Sequence, residues 1–165
     1  RAHQCTCLIR SPQLLEQRRS EGRAEQPAAV VVSRSPDFPS TWRFFDQPLQ
    51  RWLLAPEPVD QGFDRWFPLA PTWPERLQAL GAAGIQRLVL LGGAQLSADL
   101  LQADCVDALQ LTLVPQLLGG RFSWLPCTDV PLPAALAQPG AWQSDGAEDL
   151  GDGEWLVRYR RIRSG

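Results

Sequence analysis

Between Thr72 and Val114 the chain gives helix, strand, helix and strand signals in turn, joined by very short connections. Thr72-Trp73-Pro74-Glu75 is a capping box: the threonine oxygen and the glutamate carboxylate satisfy backbone donors that a helix start leaves orphaned. Leu77 and Leu80 give this helix an apolar side, and Gly84 is its left-handed stop. Arg87-Leu88-Val89-Leu90-Leu91 reads as a buried strand, and Gly92-Gly93 follow at once. A second helix, Ala94 to Ala103, sets Leu96, Leu100 and Ala103 on one face. Asp107 to Val114 then alternates, with Leu109, Leu111 and Leu113 opposite Ala108, Gln110 and Thr112. Such a succession predicts an α/β sheet, mostly parallel and flanked by helices. Arg87–Leu91 is expected near its centre, next to Ala29–Ser33, because these are the most continuously apolar runs.

The flanks fit the same class. Thr6-Cys7-Leu8-Ile9 reads as a short strand, and Ser11-Pro12 as the cap and first position of a helix running to about Glu21 before Gly22. Ala28 to Ser33 is a β-branched run without alternation, as in a strand buried on both faces. Residues 34 to 50 are broken by Pro36, Pro39 and Pro48 and read as loop. Arg51–Leu54 and Arg65–Leu69 read as short strands, the second an edge or strand end because of Pro68. Near the C-terminus, Gly151-Asp152-Gly153 between two extended runs predicts a hairpin, so an antiparallel ribbon closes the chain.

Composition removes several function classes. A net charge of −2 argues against a general nucleic-acid binder. No apolar run approaches the roughly 20 residues of a membrane-spanning helix. All 16 basic residues are arginine, so neither a lysine Schiff base nor a phosphate-loop lysine is available. His3 is the only histidine, which leaves almost no material for a histidine metal site or a Ser-His-Asp triad. Cys5, Cys7, Cys105 and Cys127 match neither zinc nor redox-motif spacing, and read as reduced and mostly buried in a cytoplasmic protein. The lack of any methionine, even at position 1, reads as the C-terminal piece of a longer protein.

The strongest chemical feature is Leu91-Gly92-Gly93-Ala94. Glycines between a strand and a helix let the backbone approach a ligand, and the helix start offers N–H groups and a positive dipole end to a pyrophosphate. A turn serving only packing is the other reading of the same residues. Gly119-Gly120 is a weaker version of this signal. Arg158, Arg160, Arg161 and Arg163 read as a solvated face rather than a phosphate site. The seven tryptophans are scattered and read as core and loop anchors.

Read together, Leu88-Val-Leu-Leu-Gly-Gly-Ala-Gln-Leu-Ser-Ala-Asp-Leu-Leu-Gln-Ala-Asp-Cys-Val-Asp-Ala-Leu-Gln-Leu-Thr-Leu-Val-Pro-Gln-Leu-Leu-Gly-Gly120 resembles the C-terminal reductase domain of bacterial riboflavin-biosynthesis deaminase/reductase proteins. Leu156–Arg161 resembles that family's last strand, and Val30–Arg34 an earlier strand and loop. The resemblance implies a dihydrofolate-reductase-like fold, with residues 1–165 as a single reductase-like domain lacking its N-terminal strand. It implies hydride transfer from NADPH that reduces the ribose of 5-amino-6-(5-phosphoribosylamino)uracil to a ribityl chain. Gly92, Gly93, Ala94, Gln95 and Leu96 would line the dinucleotide phosphates, and Ser33 and Arg34 would sit at the adenosine end. Arg34 is then the candidate for the 2′-phosphate, a suitable partner for its guanidinium. No catalytic residue and no metal ligand is assigned. Relatives of this family form dimers, so a homodimer is expected, using the C-terminal strands.

Two alternatives stand beside this reading. One is a reductase of the same fold acting on a pterin-like heterocycle. The other is a non-catalytic relative, which would expect Leu91 where the family often has Glu. It would also expect Ile9-Arg10-Ser11-Pro12 where the family usually has a Gly-x-x-Thr turn.

Overall fold

A computed structural model describes residues 5–35, 37–59, 62–91, 93–117, 125 and 131–163. The chain divides into two compact units, residues 1–70 and 71–165.

The first unit contains α1 (Pro12–Ser20), β1 (Ala29–Val32), β2 (Arg51–Ala55) and β3 (Arg65–Pro68). Its sheet is all parallel in the order β1-β2-β3, with Val31 opposite Leu53 and Leu53 opposite Trp66. The central strand is β2, where Trp52, Leu53, Leu54 and Ala55 are all buried and Leu53 has no exposed surface. β1 is half-buried along its length, because here it is an edge. Between β1 and β2 runs a 3-10 turn, Arg43–Asp46, rather than a crossover helix. The Arg51 guanidinium closes that turn by donating to the carbonyls of Phe44, Phe45 and Gln47 at 3.1, 2.6 and 2.5 Å.

Thr6–Ile9 is not in a strand. Two glutamine side chains stand in for a neighbouring strand. Thr6 N–H donates to Gln47 Oε1 at 2.7 Å, and Gln47 Nε2 donates back to the Thr6 carbonyl at 2.7 Å. Gln26 grips Ile9 in the same way, at 2.9 and 3.0 Å. Extended, β-prone residues were legible in the sequence; amide side chains as their partners were not.

The second unit contains α2 (Trp73–Ala82), α3 (Ala94–Gln102), β4 (Ala108–Leu113), the short α4 (Ala134–Ala137), β5 (Trp142–Gly151) and β6 (Glu154–Arg161). Its sheet is all antiparallel, in the order β4-β6-β5. Asp152 and Gly153 take positive φ of 51° and 78°, the combination that a two-residue hairpin turn following the strand twist requires.

The class is therefore α/β, with parallel and antiparallel parts, as the sequence indicates. Among the described residues the strands form two three-stranded sheets rather than the single sheet expected. Arg87–Leu91 is also corrected. It lies in no strand, and Leu88, Val89, Leu90 and Leu91 are exposed. An apolar run supplies surface to bury but not a partner edge, and burial is what the sequence pattern reports. The central position in a parallel sheet belongs instead to β2.

Candidate functional site

Open parallel sheets bind ligands outside the carboxyl ends of their strands. Ser33 and Arg34 stand at that end of β1. Ser33 is buried, and its N–H donates to the Leu54 carbonyl at 3.0 Å, extending the ladder one residue beyond the strand. Its hydroxyl donates to the Ser35 carbonyl at 2.5 Å, so it shapes the turn and has no proton to spare. Arg34 is exposed, and no carboxylate pairs with it among the described residues.

The second group is the start of α3. Gly93 is its N-cap, at φ 96° and ψ 92°, and among the described residues no side chain caps the helix there. The Gly93 carbonyl accepts from Ser97 N–H at 2.9 Å, the helix's first internal bond. The N–H groups of Ala94, Gln95 and Leu96 precede that bond and have no partner within the helix. Gln95 turns its side chain along the helix to Asp99 Oδ1 at 3.0 Å, and Leu96 is half-buried. Both residues can therefore offer a ligand their backbone donors rather than their side chains. Gly92 lies outside the described residues, as do Gly119 and Gly120.

The space around Gly93 separates the two readings of this turn. Among the described residues a Cβ there would meet Leu96 Cβ alone, at 3.8 Å, an ordinary contact. Among the described residues nothing crowds this position. What favours glycine here is its positive φ.

The arginines of the last strand do not form one solvated face. Arg158 pairs with Glu148 at 2.7 Å and Arg160 with Asp145 at 2.9 Å, both across the exposed hairpin. Arg161 is buried, against expectation. It donates to both carboxylate oxygens of Asp104 at 3.0 and 3.3 Å, and to the carbonyls of Ala141 and Ile162 at 3.0 and 2.6 Å. Arg163 reaches Asp107 at 2.6 Å. The Arg161 hydrogen bonds hold the Asp104 carboxyl below the usual carboxylate range. Four arginines matched to nearby acids leave little charge for an external phosphate. The sequence hid this because Asp104 is 57 residues from Arg161.

The cysteines also differ from expectation. Cys5 and Cys7 are exposed, while Cys105 is partly buried, with burial raising its thiol pKa. Cys127 and His3 lie outside the described residues, and no cluster among the described residues has the makings of a metal site with three or more ligands. Among the described residues no helix is long and apolar enough to cross a membrane.

Comparison with known proteins supplies the family. Residues 5–152 match the model of the RibD C-terminal domain. Over 133 residues, covering 77% of this chain, the sequence is 31% identical to the riboflavin biosynthesis protein RibD of Haemophilus influenzae. It is 27% identical over 129 residues to the 2,5-diamino-6-ribosylamino-4(3H)-pyrimidinone 5′-phosphate reductase of Archaeoglobus fulgidus. The chain spans 35% of the first protein's length and 59% of the second's. Among solved structures, RibD of Acinetobacter baumannii superposes with a TM-score of 0.75 at 23% identity, over 98% of this chain and 44% of that one. A pyrimidine reductase-like protein of Corynebacterium diphtheriae superposes with a TM-score of 0.68 at 18% identity, over 95% of this chain and 70% of that one.

Proposed function

We propose that this chain, which belongs to the RibD C-terminal domain family, is the reductase domain of a riboflavin-pathway enzyme. In this proposal residues 1–165 work as one reductase-like domain, cytoplasmic and dimeric. It transfers a hydride from NADPH to the ribose of 5-amino-6-(5-phosphoribosylamino)uracil, opening the ring to a ribityl chain. The reductase name of the Archaeoglobus relative supports the substrate class. The observation that carries the reading is the start of α3, where no side chain caps the helix among the described residues and the first three N–H groups have no partner within the helix.

The dinucleotide contacts assigned here are those that the family resemblance implies. The N–H groups of Ala94, Gln95 and Leu96, with the glycine pair before them, would hold the pyrophosphate. Ser33 shapes the turn that presents Arg34, whose guanidinium would take the 2′-phosphate. When bound, the nicotinamide supplies the hydride. The protein's part is orientation and the exclusion of water. Dimerisation is supported by Leu113 and Trp155, register partners on one face of the antiparallel sheet that are 53% and 46% exposed. Light scattering at tens of micromolar, an order-of-magnitude choice well above where obligate dimers dissociate, should give twice the monomer mass.

The function test follows reduced-nicotinamide absorbance with the phosphoribosylamino-pyrimidine as acceptor. Turnover with NADPH is expected. Arg34→Ala should weaken NADPH by about tenfold, the ~1.4 kcal/mol of a modest charged contact, and leave NADH unchanged. Equal losses for both cofactors would remove Arg34 from the 2′-phosphate. NADPH binding without turnover would favour the non-catalytic reading that Leu91 suggests.

A further inference from the structure

The β1–β2 connection carries Arg34, and aromatic rings hold it. Parallel neighbours need a crossover of a dozen or more residues, and an α-helix usually stiffens it. Among the described residues the crossing from 33 to 50 has a 3-10 turn and no such helix. Phe63, from the connection between β2 and β3, supplies the missing stiffness. Its ring meets Phe38 edge-to-face at 5.2 Å and Phe45 at 5.8 Å, and lies tilted 6.3 Å from Phe44. One ring therefore ties the early part of the crossover to its late part.

Phe63 is itself fixed. Its neighbour Asp64 donates its N–H to the Arg51 carbonyl at 2.7 Å, and the Asp64 carboxylate accepts the Arg51 N–H at 2.6 Å. The guanidinium of the same Arg51 closes the 3-10 turn. On the other side of Phe63, a Cβ on Gly62 would stand 2.5 Å from the Phe45 ring, so the backbone there lies directly against that ring. Phe38 also meets Trp42 edge-to-face at 6.2 Å. Arg34 thus stands between two anchors. One is Ser33, buried and bonded to the Ser35 carbonyl; the other is Phe38, four residues beyond Arg34.

We propose that Phe63 is a positioning residue that sets the preference for NADPH over NADH, by holding the crossover on which Arg34 stands. The inference rests on the assignment of Arg34 to the 2′-phosphate. An exposed arginine loses side-chain freedom when it grips an anion. A wandering backbone adds to that loss, and a short stretch pinned at both ends removes the addition. Phe63 acts through Arg34, so loosening its ring can cost no more than Arg34 contributes. NADH has no 2′-phosphate, and its affinity is therefore indifferent to Phe63.

The test measures NADPH and NADH affinities by tryptophan quenching in the full chain, as the parent, Arg34→Ala, Phe63→Leu and the double variant. Phe63→Leu should lower the preference for NADPH about threefold, the scale of a lost aromatic pair, with NADH affinity unchanged. The double variant should show the preference of Arg34→Ala and no further loss, because the two residues act as one unit. Phe67→Leu removes a ring that lies 5.5 Å from Trp52 in the same sheet. It should lower thermal stability and leave the preference alone. A folded Phe63→Leu with the parental preference would overturn the inference, as would equal falls in NADPH and NADH affinity, or losses that add in the double variant. Each of those results leaves the assignment of Arg34 standing. An Arg34→Ala chain that keeps the parental preference would remove the 2′-phosphate assignment and the inference with it. If Phe63→Leu fails to fold, Phe38→Leu, at a half-buried position, should give the same shift, and its absence would overturn the proposal.

Discussion

The two ends of α3 are built in opposite ways. Its C-terminal end is sealed. Asp104 takes the left-handed conformation at φ 47°, its N–H donates to Leu101 at 3.0 Å, and Cys105 N–H donates to Leu100 at 2.9 Å. The Asp104 side chain then locks onto buried Arg161. At the N-terminal end Gly93 is the N-cap, and no side chain caps the helix among the described residues. α2 provides the control. Its start is closed by Thr72 and Glu75, each bonding the other's backbone, and its end is closed by Gly84 in the same pattern as Asp104. A helix start left with orphan donors is costly unless water or a ligand meets them. The chain has a capping box available and uses it on α2, so the bare start of α3 is where an anion is expected.

The largest effect should come from breaking the sealed end. Asp104→Ala leaves the Arg161 guanidinium buried without its carboxylate and should cost about 3 kcal/mol, the scale of a broken buried pair. Denaturant unfolding measures it. The pH dependence gives a second readout. A carboxyl held below its ordinary range, by Arg161 first, stabilises the fold fully above the unfolded value of about 3.9. That stability is lost as pH falls through the depressed range, and the variant should lack this acid-side loss. NADPH affinity in the folded fraction should not move.

Next is the open end. Gly93→Val should weaken NADPH by about thirtyfold, or roughly 2 kcal/mol. The positive φ must change to accept a side chain, which re-aims the N–H groups behind it. Gly84→Val carries the same backbone strain, at φ 106° with nothing among the described residues within 4 Å of the new Cβ. It should cost stability and leave affinity alone. Equal affinity losses in both variants, read by tryptophan fluorescence, would mean that strain rather than the site is responsible.

The smallest effect belongs to the cap of α2. Thr72→Ala should cost about 1 kcal/mol. Thr72 hydrogen bonds hold the Glu75 carboxyl below its usual range. The contribution of Glu75 is therefore present above about pH 4.3, the ordinary glutamate value, and fades as pH falls below it. Glu75→Gln should flatten that part of the profile in thermal melts.

This contrast was half legible in the sequence. The capping box is local, four residues carrying their own partners, and Thr72-Trp73-Pro74-Glu75 forms as read. The hairpin turn at Gly151-Asp152-Gly153 is local too. What failed was long-range. Arg87–Leu91 has the apolarity of a central strand, but pairing depends on which edge lies beside it, and no residue within the run encodes that. Arg161 looked like one of several solvated arginines because its partner is distant in sequence. The extended Thr6–Ile9 segment was visible in its residue types, yet Gln26 and Gln47 as its partners were not. At the α3 start a glycine break before the helix was legible, while the positive φ of Gly93 needed coordinates.

Backbone amide NMR during an NADPH titration tests most directly whether the open start of α3 is the cofactor site. The amides of Ala94, Gln95 and Leu96 should shift and saturate together with tryptophan quenching. Those of Glu75, Arg76 and Leu77, in the capped first turn of α2, should stay in place. Saturable NADPH binding that leaves Ala94, Gln95 and Leu96 unmoved would contradict the assignment and return Gly93 to a turn that serves packing alone.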